Sequence, residues 1–254
     1  LTSTHVYNDG FNIHGKTRDV RFENIRAIEC GDDGVSAHGD CRIVIDGLVS
    51  IGNSTGVCHV NDSHSEGSRH FIQGCHGFAY FVLDQGVHSL RDSIIIGDAA
   101  QSVVINGPRN ETSGRSCRAT FENVLIRGTE TSDIIKANRR TEVAFRRVTV
   151  SDLSISAAGR SFTLENSAIG GTPKPYVVVY PETEWSAHGN LLDLDYLRIG
   201  PDFFKAKDLE KYRSQTGQGE GSTWRAFDPD SKTLETGVDF KRLPEPPRSH
   251  AHEE

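Results

Sequence analysis

Asp32 and Asp33 stand side by side in GDDGVSAHG (31–39), and Asp9 stands in NDGFNIH (8–14), 24 residues before Asp33. An Asp-Gly step is common turn chemistry, because Asp bonds its own backbone and Gly supplies φ > 0. Neighbouring carboxylates are also what hydrolysis of a glycosidic bond needs: one acid protonates the leaving oxygen while a carboxylate activates water or attacks directly. Carboxylates held close repel, which raises at least one pKa and keeps a proton available near neutral pH. Whether these three act together depends on what the chain does over the intervening 24 residues.

Two kinds of segment alternate through the first 171 residues. One is a short strand after a glycine turn: GFNIHG (10–15), GVSAHGD (34–40), GVCHVND (56–62), GFAYFVLD (77–84). The other centres on a polar pair flanked by apolar positions, as in VRFENIRAIE (20–29), RIVIDGLVSIG (42–52), RATFENVLIRG (118–128) and SFTLENSAIGG (161–171). The commonest interval is 22 to 24 residues, a period that implies a solenoid. Short β-branched strands, Gly/Asn/Asp/Ser turns and no amphipathic helix between them exclude a βαβ array. The expected fold is all-β, a parallel β-helix of about seven coils over 1–171. Coils stack at roughly 4.8 Å, so residues one repeat apart become neighbours and Asp33 should lie above Asp9, with Asp32 beside them.

Strand parity puts Asn12, His14, Ser36 and His38 outward beside the acids, opposite Phe11, Ile13, Val35 and Ala37. His59 and Tyr80 would extend the same groove over the next two coils, unless a one-residue slip turns them inward. After residue 171, GPDFFKAKDLEKYRSQTGQ (200–218) predicts a short helix over 203–216, with Asp202 as N-cap and Gly217 as stop signal, inside a C-terminal strand and helix cap spanning 172–242. Residues 243–254 are expected to be disordered. The N-terminal side shows no comparable cap, so the chain reads as the later coils of a longer solenoid.

Of the 254 residues 35% are hydrophobic, enough for a substantial core, and no apolar run reaches the roughly 20 residues of a membrane span. The net charge of −7 argues against a nucleic-acid binder. Five cysteines (Cys30, Cys41, Cys58, Cys75, Cys117) show no zinc spacing and read as small buried hydrophobes, although Cys41, Cys58 and Cys75, 17 residues apart, leave room for a single disulfide. Asp40, Asp62, Asp84 and Asn106 recur every 22 residues and read as turn residues at a coil corner rather than a calcium ladder. Arg139, Arg140, Arg146 and Arg147 read as a solvated basic face.

YNDGFNI (7–13) and GDDGVSA (31–37) resemble the Asn-Thr-Asp-Gly-Phe and Gly-Asp-Asp motifs of the polygalacturonase family of right-handed β-helix glycosidases, whose relatives include β-helix α-galactosidases, dextranases and α-1,3-glucanases. The resemblance implies an inverting glycoside hydrolase, with Asp32 as general acid, Asp33 and Asp9 positioning the attacking water, and no metal or other cofactor. It also implies a secreted or periplasmic protein whose partner is an oligo- or polysaccharide. Tyr7 and Asn8 depart from the family's Asn-Thr. Ser54-Thr55-Gly56 stands where polygalacturonases carry Gly-His-Gly, and their Arg-x-Lys uronate clamp has no counterpart in HGFAYFVLD (76–84). Without that clamp a neutral, α-linked sugar is the expected substrate. The rivals are a polysaccharide lyase, which needs a Lys or Arg base that this chain lacks near Asp9 and Asp33, and a non-catalytic carbohydrate-binding or structural β-helix.

Overall fold

The structure, a computed structural model, describes residues 1–97, 101–108, 116–129, 134–138 and 140–247. The chain forms a parallel β-solenoid of about eight turns. Its strands fall into a 14-stranded and a 10-stranded sheet, in which the strands pair in parallel with their counterparts one coil away, except for the last strand of the smaller sheet. Successive registers, Phe11↔Val35, Val35↔Val57 and Val57↔Tyr80, reproduce the 22 to 24 residue period. Ile13, Val35, Ala37, Val57 and Val82 point into a single apolar core that they share with Ile25, Ile43, Leu48 and Ile95 of the larger sheet.

The polar pairs have a structural cause. Asn24, Gly47, Arg69, Asp92, Asn123, Arg147, Asn166 and Gly189 all adopt positive φ, between 47° and 79°. Strand register stacks them in one column, for Glu23 pairs with Asp46 and Ile25 with Leu48 on either side of Asn24 and Gly47. A single left-handed residue bends the chain from one face of the solenoid to the next in every coil. Asn, Asp and Gly tolerate that conformation best, which explains the recurrence of Glu-Asn and Asp-Gly.

A second corner lies beneath the candidate acids. Buried Asn53 accepts from the Cys30 backbone N–H at 2.8 Å and donates to the Ala27 carbonyl at 3.1 Å and to Ser50 Oγ at 2.8 Å. Replacing Asn53 with Ala strands a buried N–H and a buried C=O, each costing about 1–3 kcal/mol. The variant should therefore lose about 2–6 kcal/mol, read as a lower urea midpoint at unchanged m-value.

The parallel ladders run past residue 171, through Tyr176–Val179, Glu184–His188 and Tyr196–Ile199. Asp202 does not cap a helix, because Asp202–Phe204 forms an antiparallel strand against Tyr196–Ile199. The α-helix, α1, covers Leu209–Thr216 after a 3-10 turn at Ala206–Asp208, and ends on Gly217 at φ 66°. Its buried Tyr212 packs on Phe204 at 5.4 Å and accepts from Trp185 Nε1 at 2.9 Å, so the helix covers apolar surface at the end of the coils. The expected tail does not begin at 243: Leu243 packs with Val238 and Phe240 on Phe71, Ile94 and Leu125. Residues 248–254 lie outside the described ones, as do Asp133 and Arg139.

All five cysteines are free and buried, and none forms the disulfide that the 17-residue spacing left open. The acidic ladder does not form either. Register pairs Asn61, not Asp62, with Asp84, and Leu83, not Asp84, with Asn106, while Asp40 is ion-paired with Arg18. No helix among the described residues is long and apolar enough to cross a membrane.

Candidate functional site

The smaller sheet carries the site. Phe11–His14 and Asp33–His38 lie side by side in the register Asn12↔Ser36 and His14↔His38, which puts Asp9 and Asp33 at the entrances of adjacent strands. The glycines after them are required by crowding, not by φ, since neither Gly10 nor Gly34 has a positive φ. A Cβ on Gly34 would lie 2.4 Å from Ser50 Oγ and 2.7 Å from the Gly56 carbonyl, and one on Gly10 would lie 2.8 Å from the Gly34 carbonyl. The chain turns inward at these points so tightly that only an α-hydrogen fits, and the preceding aspartates are left on the outer side.

Hydrogen bonds fix the two acids. Asp9 Oδ1 accepts from the Asp33 backbone N–H at 3.3 Å, and Asp9 Oδ2 accepts from Asn12 Nδ2. Asp33 Oδ2 accepts from Ser36 Oγ at 2.7 Å, and Ser36 Oγ lies 2.6 Å from His38 Nε2. A serine has one proton to donate. With that proton on Asp33, His38 must donate from Nε2, giving a His38-to-Ser36-to-Asp33 chain of donors. His38 in turn stacks on His14, centroids 4.9 Å apart.

The three carboxylates occupy different environments. Asp33 is buried, Asp9 half-buried and Asp32 exposed. Burial is the main cause that raises the Asp33 pKa, and the charge of Asp32 adds to it; hydrogen bonds from Ser36, Cys58 and Thr55 oppose the rise. Cys58, which pairs with Ser36 in the next coil, has its own pKa pushed up by burial first and then by Asp33. Asp32 is held through its backbone carbonyl, which accepts from Ser54 N at 2.9 Å and Thr55 N at 3.3 Å, leaving the carboxylate at the surface. Ligand atoms of Asp9, Asp33 and His38 lie within 4.8 Å of one another, so this group could hold a cation. The Ser36 bonds to Asp33 Oδ2 and His38 Nε2 already use one atom of each for a purely protein network.

Of the residues expected to contact a sugar, Asn12 and His14 are exposed and His38 half-buried, all on the outer face. Ser36 also faces that side but is fully buried, spent on Asp33 and His38. His59 and Tyr80 do not extend the groove. Register pairs His59 with Ala37 and Tyr80 with Val57, so both point into the core, where Tyr80 meets Phe121 edge-on at 5.5 Å. The outward positions in those coils belong to Cys58, Val60, Phe81 and Leu83; Phe81 stacks on Phe78, 4.7 Å between centroids. Thr55 and Cys58, which touch Asp33, were not marked by sequence, and the signal available was their position one repeat after Asp33 and Ser36. Comparison of the chain with family models, curated proteins and solved structures gave no match.

Proposed function

We propose that the protein is an inverting glycoside hydrolase acting on α-linked, uncharged sugars of an oligo- or polysaccharide. The observation that carries this reading is the pairing of Asp9 and Asp33 on adjacent coils by dedicated hydrogen bonds, next to an exposed Asp32. A general acid must touch the leaving oxygen, and Asp32 is the carboxyl that an incoming glycan reaches first. Asp33 and Asp9, held on the protein side, suit the task of orienting and deprotonating a water. Ser36 and Asn12 are then positioning residues, each fixing one carboxylate oxygen.

Burial raises the pKa of Asp33. That favours a second reading in which Asp33 is the proton donor and Asp32 the base; the substrate comparison in the Discussion separates the two. If Asp33 is the base, it must be ionised, and activity should fall on the acid side at a higher pH than an ordinary aspartate would dictate. Ser36→Ala removes a bond that favours the charged form, so this acid limb of kcat/KM should move to still higher pH. A limb that stays in place would remove Asp33 from the base role.

Among the described residues, no lysine or arginine is one of the groups that touch Asp9, Asp33 or His38, and the motif's uronate clamp is missing from the sequence. Neutral galactosides or glucans should therefore be cleaved faster than polygalacturonate. Reducing-end release across a glycan panel, with NMR of the first-formed anomer, tests the proposal. Inverted product from a neutral glycan is expected. Preferential turnover of polygalacturonate, or product of retained configuration, would overturn it.

A further inference from the structure

The outward column that starts at Asn12 and Ser36 can be followed strand by strand through Cys58, Phe81, Val104, Lys136, Ser156 and Val178 to Arg198. At its far end the surface changes character. Tyr176 and Tyr196, in register on neighbouring strands, stack with centroids 5.2 Å apart and planes 2° from parallel, and Phe203 continues the row at 5.3 Å from Tyr196. Arg198 lies 5.8 Å from the Phe203 ring and 6.0 Å from one further ring, that of Tyr180. Tyr180 and Phe203 are 41% and 53% exposed, whereas most large apolar side chains of the molecule are covered. The Arg198 Nε is buried and has no hydrogen-bond partner among the described residues.

Exposed rings beside a guanidinium match the chemistry of a sugar. The C–H face of a pyranose carries slight positive charge and stacks on the negative face of an aromatic ring, while its hydroxyls bond to tyrosine O–H and guanidinium N–H. Of the nearby charges, Lys205 and Asp195 lie 3.9 Å apart and offset one another, which leaves the Arg198 guanidinium as a lone cation among the rings rather than part of a basic cluster. Six strand steps separate the Asp33 strand from the Tyr176 strand, about 30 Å along the face at the usual spacing. We propose that Tyr176, Tyr180, Tyr196, Arg198 and Phe203 form a remote anchor for an extended, uncharged polysaccharide lying along the outer face of the smaller sheet. The anchor rests on the hydrolase reading for its substrate class but does not require turnover.

Affinity electrophoresis of the full chain in native gels containing dextran or galactomannan tests it. The wild type should be retarded in at least one of the two. Tyr176→Ala/Tyr196→Ala should weaken retardation at least fivefold, and so should Phe203→Ala, whose exposed ring makes loss of fold improbable and whose melting temperature should stay at the wild-type value. The Asp32→Asn protein should be retarded like the wild type. Absence of retardation in both polymers, or retardation unchanged in the aromatic variants, would overturn the anchor. So would a wild-type dimer in sedimentation that the aromatic variants abolish, since the surface would then be occupied by a second copy. Retention without any glycan turnover would reject the hydrolase reading and leave the anchor standing.

Discussion

Lowering the pH from 7.5 to 5.0 should destabilise this protein by about 6 kcal/mol, a large fraction of what a domain usually possesses. The cause is a group of three histidines inside the solenoid. His59, His70 and His88 are each about 1% exposed, and His59 and His88 stack at 4.9 Å. Each has a ring nitrogen with no hydrogen-bond partner among the described residues: Nδ1 of His59, Nδ1 of His70 and Nε2 of His88. Burial is the leading cause that lowers all three pKa values, to about 4 for His70, to about 3 for His88 and well below normal for His59. The His88 charge adds to the effect at His59 and His64 to that at His88, whereas the Ile45 carbonyl and Asp46 partly offset it at His70.

The direction follows from proton binding. Above about pH 6.5 these side chains are neutral folded or unfolded, and their contribution is fully present. Below it the unfolded chain takes up protons that the folded one refuses, so each histidine costs about 1.4 kcal/mol per pH unit until its folded pKa is reached. Denaturant midpoints at the two pH values measure the loss. His88→Gln can keep the bond to Ser65, 2.9 Å from His88 Nδ1, and should remove about a third of the pH dependence. Equal midpoints at pH 7.5 and 5.0 would show that the histidines are not held neutral in the core.

These histidines also show where sequence stops being informative. The alternation Val57-Cys58-His59-Val60 places one apolar residue on each face, so composition cannot say whether Cys58 or His59 points inward. The ladder decides it, by pairing Val35 with Val57 and Ala37 with His59. Tyr80 follows Val57 into the core for the same reason. Where apolar residues alternate cleanly, as in Phe11-Asn12-Ile13-His14, parity read from sequence agrees with the structure. The 22 to 24 residue period was legible because the left-handed bend at Asn24, Gly47, Asp92, Asn123 and Asn166 demands particular residue types once per coil. The period hides wherever a bend falls on Arg69 or Arg147, and where the interval lengthens, as between Gly86 and its partner Cys117. Asp202 misled for a different reason, because an N-cap preference cannot compete with a free sheet edge that Asp202–Phe204 can pair.

At the site, the proximity of Asp9 and Asp33 followed from their 24-residue separation, whereas the burial of Ser36 did not. A serine on an outward position reads as surface until its neighbours are known. Here Asp33, His38 and Cys58 close over it. The same crowding that covers Ser36 raises the Asp33 pKa and leaves Asp32 as the accessible carboxyl. The different settings of the three acids, and with them the proposed division of labour, are therefore a property of packing, which local sequence does not encode.

The division can be measured at Asp32. An acid that protonates a leaving alkoxide matters most when the leaving group is poor, because a good one departs with little help. Asp32→Asn should lower turnover of a natural neutral glycan by about 10² to 10⁴, and of an activated aryl glycoside of the same sugar far less. Asp33→Asn and Asp9→Asn remove water activation and should slow both substrates alike. The ratio of kcat for the glycan to kcat for the aryl glycoside, compared between wild type and Asp32→Asn, is the most direct test of the account. A ratio that falls by two orders of magnitude or more in the variant is the expected result. A ratio unchanged by Asp32→Asn, or one that falls instead in Asp33→Asn, would contradict it.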